Sequence, residues 1–193
     1  MTNGGGIRAS ISKGKVTQND IITVLPFGNL ISQIKVKGTN VKKTFEHSLG
    51  SPTETKDGKK QLLPNGGFLQ VSKSIRVYYD MNQKSGSRVR DIQVRNRETG
   101  KFEKLNPNKT YYVATNDFTA NKGDGYDMFG GQREEGISLD EVVGNYIQKH
   151  NLNEYNTNNP ERIINGKLDS VKKSTHKSDN GKQSSNHTHK KSA

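Results

Sequence analysis

The chain has 193 residues and a formal net charge of +12, and 28% of its residues are hydrophobic. This length suits one domain with an appendage, or two very small domains. The absence of cysteine excludes disulfides and thiolate-bound metals. No apolar run is long enough to span a bilayer, and the first residues lack the charged and then apolar pattern of a signal peptide.

The elements predicted in the first part of the chain are two helices and a strand. Residues 17–20 have the sequence of a capping box, which predicts a short helix through Ile22 that ends before Pro26. Residues 30–37 alternate in polarity, as a half-buried strand does. The next helix places three apolar residues on one face: Val41, Phe45 and Leu49. Residues 51–67 are polar and rich in glycine and lysine, which predicts a mobile surface loop.

The second part alternates strands with a final helix. Four segments have the composition of strands: 68–71, 74–80, 88–96 and 110–116. The apolar phase shifts between Val89 and Ile92, which predicts a β-bulge. A second capping-box sequence at 138–141 precedes an apolar stripe that comprises Leu139, Val142, Val143, Tyr146, Ile147 and His150. The pattern predicts an α+β domain with a mixed sheet and about three helices.

The last 24 residues differ from the rest. Within 170–193, six lysines and one aspartate supply +5 of the net charge, and only Val171 and Ala193 are apolar. Such a segment cannot bury enough surface to offset the entropy lost on ordering. We therefore expect a folded domain over residues 1–169 and a disordered Lys/Ser/His-rich tail over 170–193.

The first motif with chemical potential is the sequence NGGGIR at residues 3–8. Three consecutive glycines, with Gly5 at their centre, leave backbone N–H groups uncovered, and Arg8 supplies a bidentate donor for phosphate or carboxylate. A flexible linker before a strand also explains this pattern, and it is the better explanation for so short a motif taken alone.

The second motif is Pro26-Phe27-Gly28-Asn29. An aromatic residue after proline at a helix end usually fills a core, so Phe27 on its own favours that interpretation. The following Gly28 exposes backbone, however, and the carboxamide of Asn29 is both donor and acceptor, which suits the edge of a purine.

The third motif spans residues 116–126, NDFTANKGDGY. A lone Gly-Asp-Gly is more often a tight turn in which the aspartate, here Asp124, bonds its own backbone. Its position directly after a β-branched strand and an Asn-Asp-Phe makes a binding site the stronger hypothesis. Phe118 offers an aromatic face for a base, and Asp124 a carboxylate for sugar hydroxyls.

In this order the three motifs resemble the C-terminal domain of the 5'-nucleotidase family, over residues 3 to about 168. The family pattern Asn-Gly-Gly-x-Arg matches residues 3–8 once one extra glycine is allowed. The resemblance implies that Asn3 meets the ribose and Arg8 the phosphate. It also implies that Phe27 and Phe118 sandwich the base, a mode of stacking that tolerates any base.

Two further implications concern the third motif. Asp124 would accept hydrogen bonds from the ribose hydroxyls. The family usually has two glycines before this aspartate, and Lys122 replaces the first of them here. A non-glycine residue at positive φ would be strained, so the local backbone shape is a point to examine.

The resemblance also implies what this chain lacks. The family's catalytic apparatus is a two-metal phosphoesterase centre in a separate N-terminal domain, and we find no comparable ligand set, nor a nucleophile with a partnered base. The five histidines are His47 and His150 on predicted helices and His176, His187 and His189 in the tail. We therefore expect no catalytic residue, metal site or cofactor here, two divalent metal ions in the missing N-terminal domain, and a chain that is inactive alone.

The expected ligand is a nucleoside 5'-monophosphate such as AMP, and an N-terminal metallophosphoesterase domain, which could act in trans, is the expected partner. Relatives of this kind are commonly exported or anchored at the bacterial surface, so we expect an extracellular or cell-surface location, with any signal or anchor outside this chain. The tail would then be a spacer.

The main alternative is a basic module for adhesion to polyanions, with nucleic acid not expected as a specific partner. Five arginines on neighbouring strands would form its cationic face: Arg76, Arg88, Arg90, Arg95 and Arg97. Arginines on exposed strands are more often merely solvated. An inactive remnant is the second alternative.

Overall fold

The computed structural model describes residues 1–152 and 161–166, and it confirms an α+β fold that contains a mixed sheet. The helices are Gln18–Val24 (α1), Gly38–Ser48 (α2), Asp117–Ala120 (α3) and Leu139–Lys149 (α4). The strands are Thr2–Asn3 (β1), Leu30–Lys37 (β2), Thr53–Lys56 (β3), Lys59–Leu62 (β4), Leu69–Gln70 (β5), Ile75–Tyr79 (β6), Val89–Arg95 (β7), Phe102–Lys104 (β8), Thr110–Asn116 (β9), Arg133–Ser138 (β10) and Ile163–Asn165 (β11). The predicted tail, 170–193, lies outside the described residues.

Two sheets carry the domain. The first has the order β10-β2-β9 and is antiparallel, with Ile31 of β2 opposite Asn116 of β9. The second has the order β11-β6-β7-β8, and it is mixed because β11 runs parallel to β6. The register of β6 and β7 shifts between Tyr78 and Tyr79, which confirms the predicted bulge in β7. Strands β1 and β5 form a separate antiparallel pair.

Helix α2 packs against both large sheets, through β2 and β7. Its predicted apolar face is confirmed, because Val41, Phe45 and Leu49 are all buried. The rest of the core comes from β2, β6, β7 and β9 and from the segment after α3. Among the described residues, the fully buried aromatic side chains are Phe45, Tyr78, Tyr126 and Phe129. Burial of apolar surface on this scale is the main favourable contribution to folding.

The first predicted helix start is confirmed. The hydroxyl of Thr17 accepts a hydrogen bond from the backbone N–H of Asp20, and the carboxylate of Asp20 accepts one from the backbone N–H of Thr17. Two donors that the helix leaves unpaired are satisfied in this way. The bonds that the Asp20 carboxylate accepts from the Thr17 side chain and backbone hold the pKa of Asp20 below its usual value.

Two predictions about local structure were wrong. Residues 51–67 are not one loop, because β3 and β4 form a hairpin whose turn residues Asp57 and Gly58 both have positive φ, 49° and 72°. An Asp-Gly pair favours this turn. The second capping box does not form, since the Ser138 side chain makes no cap bond.

The apolar stripe on α4 is only partly buried. Helix α4 contacts α1 where Gly144 lies close to Ile21. None of the helices in the described ranges has the length and apolar character needed to cross a bilayer.

Candidate binding cleft

The three glycine-containing motifs meet at one cavity of about 390 Å³. Its lining consists of Asn3, Gly5, Gly6, Phe27, Asn29, Gly66, Phe118 and Asp124. Every predicted site residue except Arg8 is therefore in the lining. The motifs are far apart in the sequence, and the pairing of β2 with β9 brings the second and third together, because each motif adjoins one of these strands.

Two phenylalanine rings are exposed at this cavity. Phe27 retains 61% of its accessible surface and Phe118 retains 45%. The core interpretation of Phe27 is therefore wrong. Phe27 lies in the turn between α1 and β2, where Gly28 has a φ of 62°, and Phe118 lies on α3 directly after β9. Large apolar side chains that flank a cavity and remain exposed are typical of a ligand-binding surface.

A hydrogen bond ties the segments that carry the two rings. The side-chain nitrogen of Asn29 donates to Oδ1 of Asp117 at 2.8 Å, and the backbone N–H of Phe118 donates to the same oxygen at 2.9 Å. A carboxylate only accepts hydrogen bonds, so the orientation of the Asn29 amide is fixed. Asp117 therefore sets the position of one ring-bearing segment against the other.

The polar wall of the cavity is a network of side chains. Asn3 is only 6% exposed, and its Nδ2 donates to Oδ2 of Asp124 at 2.8 Å. Its Oδ1 accepts from Nδ2 of Asn116 at 2.8 Å. Asn116 in turn caps α3, because its Oδ1 accepts from the N–H of Thr119 at 2.7 Å. The network links the first motif to the third and holds the Asp124 carboxylate at the cavity.

The loop that carries Asp124 has left-handed backbone at three positions: Lys122 at φ 67°, Asp124 at φ 55° and Gly125 at φ 77°. The first two are not glycines, and such residues in this region cost about 1–3 kcal/mol each, so they persist only where the surrounding contacts offset that cost. The substitution of lysine for the family's glycine thus falls at a position where glycine would be unstrained.

Two of the three N–H groups in the glycine cluster are bonded within the protein. The N–H of Gly4 donates to the carbonyl of Phe68 at 2.8 Å, and that of Gly5 to the carbonyl of Gly66 at 2.7 Å. These two N–H groups are therefore unavailable to a ligand. The absent side chain of Gly5 matters for another reason, because a Cβ there would come within 3.3 Å of the Gly66 backbone. The cluster serves close chain packing.

Gly66 is a lining residue that the sequence analysis missed, since it fell in the segment treated as a loop. The available signal was the Asn65-Gly66-Gly67 sequence, a further glycine-rich polar run besides the three motifs. Within this run, Oδ1 of Asn65 accepts a hydrogen bond from the N–H of Gly67 at 2.8 Å. A Cβ on Gly67 would come within 3.3 Å of the Cβ of Asp124. This turn therefore closes the cavity between the first and third motifs.

Arg8 lies at the edge of the cleft. The residue is exposed, its backbone N–H donates to the Val24 carbonyl at 2.8 Å, and its guanidinium is 3.4 Å from the Gly5 carbonyl. Gly5 lines the cavity, so the guanidinium is adjacent to it without forming its wall.

One of the five arginines of the alternative hypothesis is not at the surface. Arg88 is buried and donates to the backbone carbonyls of Leu49, Ser51 and Gln83. The other three with described contacts are engaged locally: Arg76 over the ring of Phe102, Arg90 with Asp80 at 3.1 Å, and Arg95 with the Gly100 carbonyl at 3.0 Å. A cationic face that includes Arg88 is therefore wrong.

Within residues 1–152 and 161–166, no group of three or more His, Cys, Asp or Glu side chains could hold a metal ion. Of the two histidines there, His150 stacks on Tyr146, and Nε2 of His47 is 2.8 Å from the Asp124 carbonyl oxygen. The remaining histidines, His176, His187 and His189, lie outside the described residues.

Comparisons with known proteins agree with the geometry. Residues 1–131 match the model of the 5'-nucleotidase C-terminal domain family. The chain is 36% identical to the trifunctional nucleotide phosphoesterase protein YfkN of Bacillus subtilis over 67% of its own length and 8% of the relative. It is also 36% identical to the snake venom 5'-nucleotidase of Macrovipera lebetinus, over 77% of this chain and 36% of that one.

The crystal structure of the 5'-nucleotidase precursor from Thermus thermophilus superimposes with a TM-score of 0.69 at 32% identity, over 85% of this chain and 30% of that one. The chain thus spans about a third or less of the length of these similar proteins.

Proposed function

Because the chain belongs to the family of 5'-nucleotidase C-terminal domains, we propose that its cleft binds the base and ribose of a nucleoside 5'-monophosphate such as AMP. In the whole protein the same domain would present the phosphate to a catalytic domain, which would release nucleoside and inorganic phosphate. The observation that carries this proposal is the exposure of two phenyl rings at a cavity that also holds a carboxylate and amides.

The rings supply the affinity for the base. Stacking of a base on an aromatic side chain contributes about 1–3 kcal/mol and is insensitive to base identity. The spacing that Asp117 imposes through Asn29 would keep Phe27 and Phe118 ready for a base to enter, so little ordering entropy would be lost on binding. The Asn29 carboxamide would meet the edge of the base.

The polar wall supplies contacts for the sugar. Asp124 is a natural acceptor for the ribose hydroxyls, and charge-assisted hydrogen bonds of this kind are stronger than neutral ones. Asn3 already donates to Asp124, so a contact from Asn3 to the ribose would use the second hydrogen of its amide nitrogen. Arg8, beside Gly5 and Gly6, would bind the phosphate.

The hydrolytic step is not assigned to this chain. The residues described here offer no donor set for the two divalent metal ions that such hydrolysis uses, so they do not fit that centre. We propose that these ions and the catalytic groups belong to an N-terminal metallophosphoesterase domain, in the same protein or in trans.

The snake venom origin of one relative supports an extracellular location for that relative. We extend this to an extracellular or cell-surface location for the present protein.

Ligand titration of two variants tests the proposal. Phe118→Ala should weaken binding of adenosine and AMP at least tenfold while the domain stays folded, because the ring is exposed. Arg8→Ala should weaken AMP but spare adenosine, which has no phosphate. Equal effects of Arg8→Ala on both ligands would refute the phosphate assignment, and wild-type binding that collapses with added salt for adenosine would favour the polyanion alternative.

A further inference from the structure

His47 contacts the loop that carries Asp124, although it does not line the cleft itself. It lies in the last turn of α2, between Phe45 and Ser48, which are both buried. The Ser48 hydroxyl accepts a hydrogen bond from the N–H of Leu69 at 2.9 Å, so this end of the helix is fixed in the core. For a histidine on a predicted helix, a packed or surface role is the simplest interpretation. Because this end of the helix is fixed, the His47 ring is nevertheless held against the loop of the third motif.

The ring makes three contacts with that loop. Nε2 lies 2.8 Å from the backbone oxygen of Asp124. A Cβ on Gly125 would come within 3.1 Å of the ring carbon Cε1, so the ring lies against this glycine. The ring also meets the buried ring of Tyr126 edge to face, with centroids 4.8 Å apart. A carbonyl oxygen only accepts, so the proton is on Nε2.

These contacts stabilise an unfavourable backbone conformation at Asp124. Asp124 has a left-handed backbone, which is unfavourable for a residue with a side chain. Asn3 fixes its carboxylate from the cleft side. His47 fixes the carbonyl of the same residue. The ψ angle of Asp124, 23°, relates this carbonyl to the Cα that carries the carboxylate, so holding the carbonyl restrains the direction of the carboxylate.

We propose that His47 is a positioning residue that donates to the Asp124 carbonyl and thereby holds the Asp124 carboxylate toward the sugar of the ligand. The role of the sugar rests on the function proposed above. The loop geometry does not, so the two can fail separately.

The test uses the 193-residue chain and a matched pair of variants. His47→Leu removes the donor, whereas His47→Gln keeps an N–H donor at similar reach. In the absence of ligand, hydrogen exchange at the Gly125 and Tyr126 amides should become about tenfold faster in His47→Leu and remain near wild type in His47→Gln. His47→Ala is a second variant without a donor, should His47→Leu fail to fold.

Binding then separates positioning from general destabilisation. His47→Leu should weaken adenosine about five- to tenfold and leave adenine, which has no sugar, within about twofold; in an Asp124→Ala background the same change should have no further effect. Unchanged exchange in His47→Leu, or a His47→Gln variant that behaves like His47→Leu, would overturn the proposal. If wild-type protein binds no adenosine, the proposed function fails, and the exchange measurement still decides the role of His47.

Discussion

The ring of Phe118 is positioned by a glycine that leaves no room for a side chain. A Cβ on Gly123 would lie 2.5 Å from the Phe118 carbonyl oxygen and 2.6 Å from two carbons of its ring. Real Cβ atoms do not come this close. The backbone φ of Gly123 is not positive, so the cost of Gly123→Ala is steric and not conformational.

The expected magnitude follows from what has to move. Overpacking of this kind costs about 1–3 kcal/mol of stability. The ring can move away more easily than the backbone, and a displaced ring loses its share of base stacking, about 1–3 kcal/mol. Since about 1.4 kcal/mol corresponds to a factor of ten, Gly123→Ala should weaken adenosine about tenfold and lower the free energy of unfolding.

Calorimetric titration with adenosine and urea unfolding measure the two effects. Gly130→Ala is the matched control, because a Cβ there meets only the flexible end of Lys122 at 3.8 Å. It should change neither quantity appreciably. Gly123→Ala with wild-type adenosine affinity would refute the assignment of Phe118 to the base site.

Further predictions address the remaining features. Asp117→Ala should weaken adenosine several-fold, as it frees Asn29 from the Phe118 segment, and titration would show it. Burial raises the pKa of the Tyr126 hydroxyl from 10.0 to about 12, so as the pH rises the unfolded chain loses the hydroxyl proton before the folded chain does. The free energy of unfolding, measured with denaturant, should therefore decline between these two pKa values. The decline should be smaller in Tyr126→Phe. Deleting residues 170–193 should leave the Tm nearly unchanged, since only two of them are apolar and can add little buried apolar surface. A fall of many degrees would show that this segment packs against the domain. The chain alone should release no phosphate from AMP with added zinc, manganese or magnesium; chelator-sensitive release would contradict this.

Most of the secondary structure could be predicted because it depends on local patterns. The capping box at Thr17 and the apolar face of α2 are set by neighbouring residues, so the sequence revealed them directly. The hairpin in residues 51–67 was overlooked because its strands are short and polar, and only the Asp57-Gly58 pair marked it. The Ser138 box failed because a cap sequence permits a cap bond but does not require it.

The cleft shows where prediction from sequence stops. The lining residues of the three motifs could be proposed because each has its own glycine and aromatic signature. The bonds of Asn3, Gly5 and Asn29 could not, because each joins segments distant in the sequence. The same holds for His47, whose partner Asp124 is 77 positions away. Its position in the sequence indicated which residues of α2 lie on the same side of the helix, but not which segment packs against them.

The central claim is that Phe27 and Phe118 hold the base of a nucleotide between them. Intermolecular NOEs between AMP and the 193-residue chain measure this directly, with the phenylalanine ring protons assigned by Phe27→Leu and Phe118→Leu variants. The account predicts NOEs from the adenine protons to both rings, each lost in the corresponding variant. AMP that binds without an NOE from adenine to either ring would contradict it.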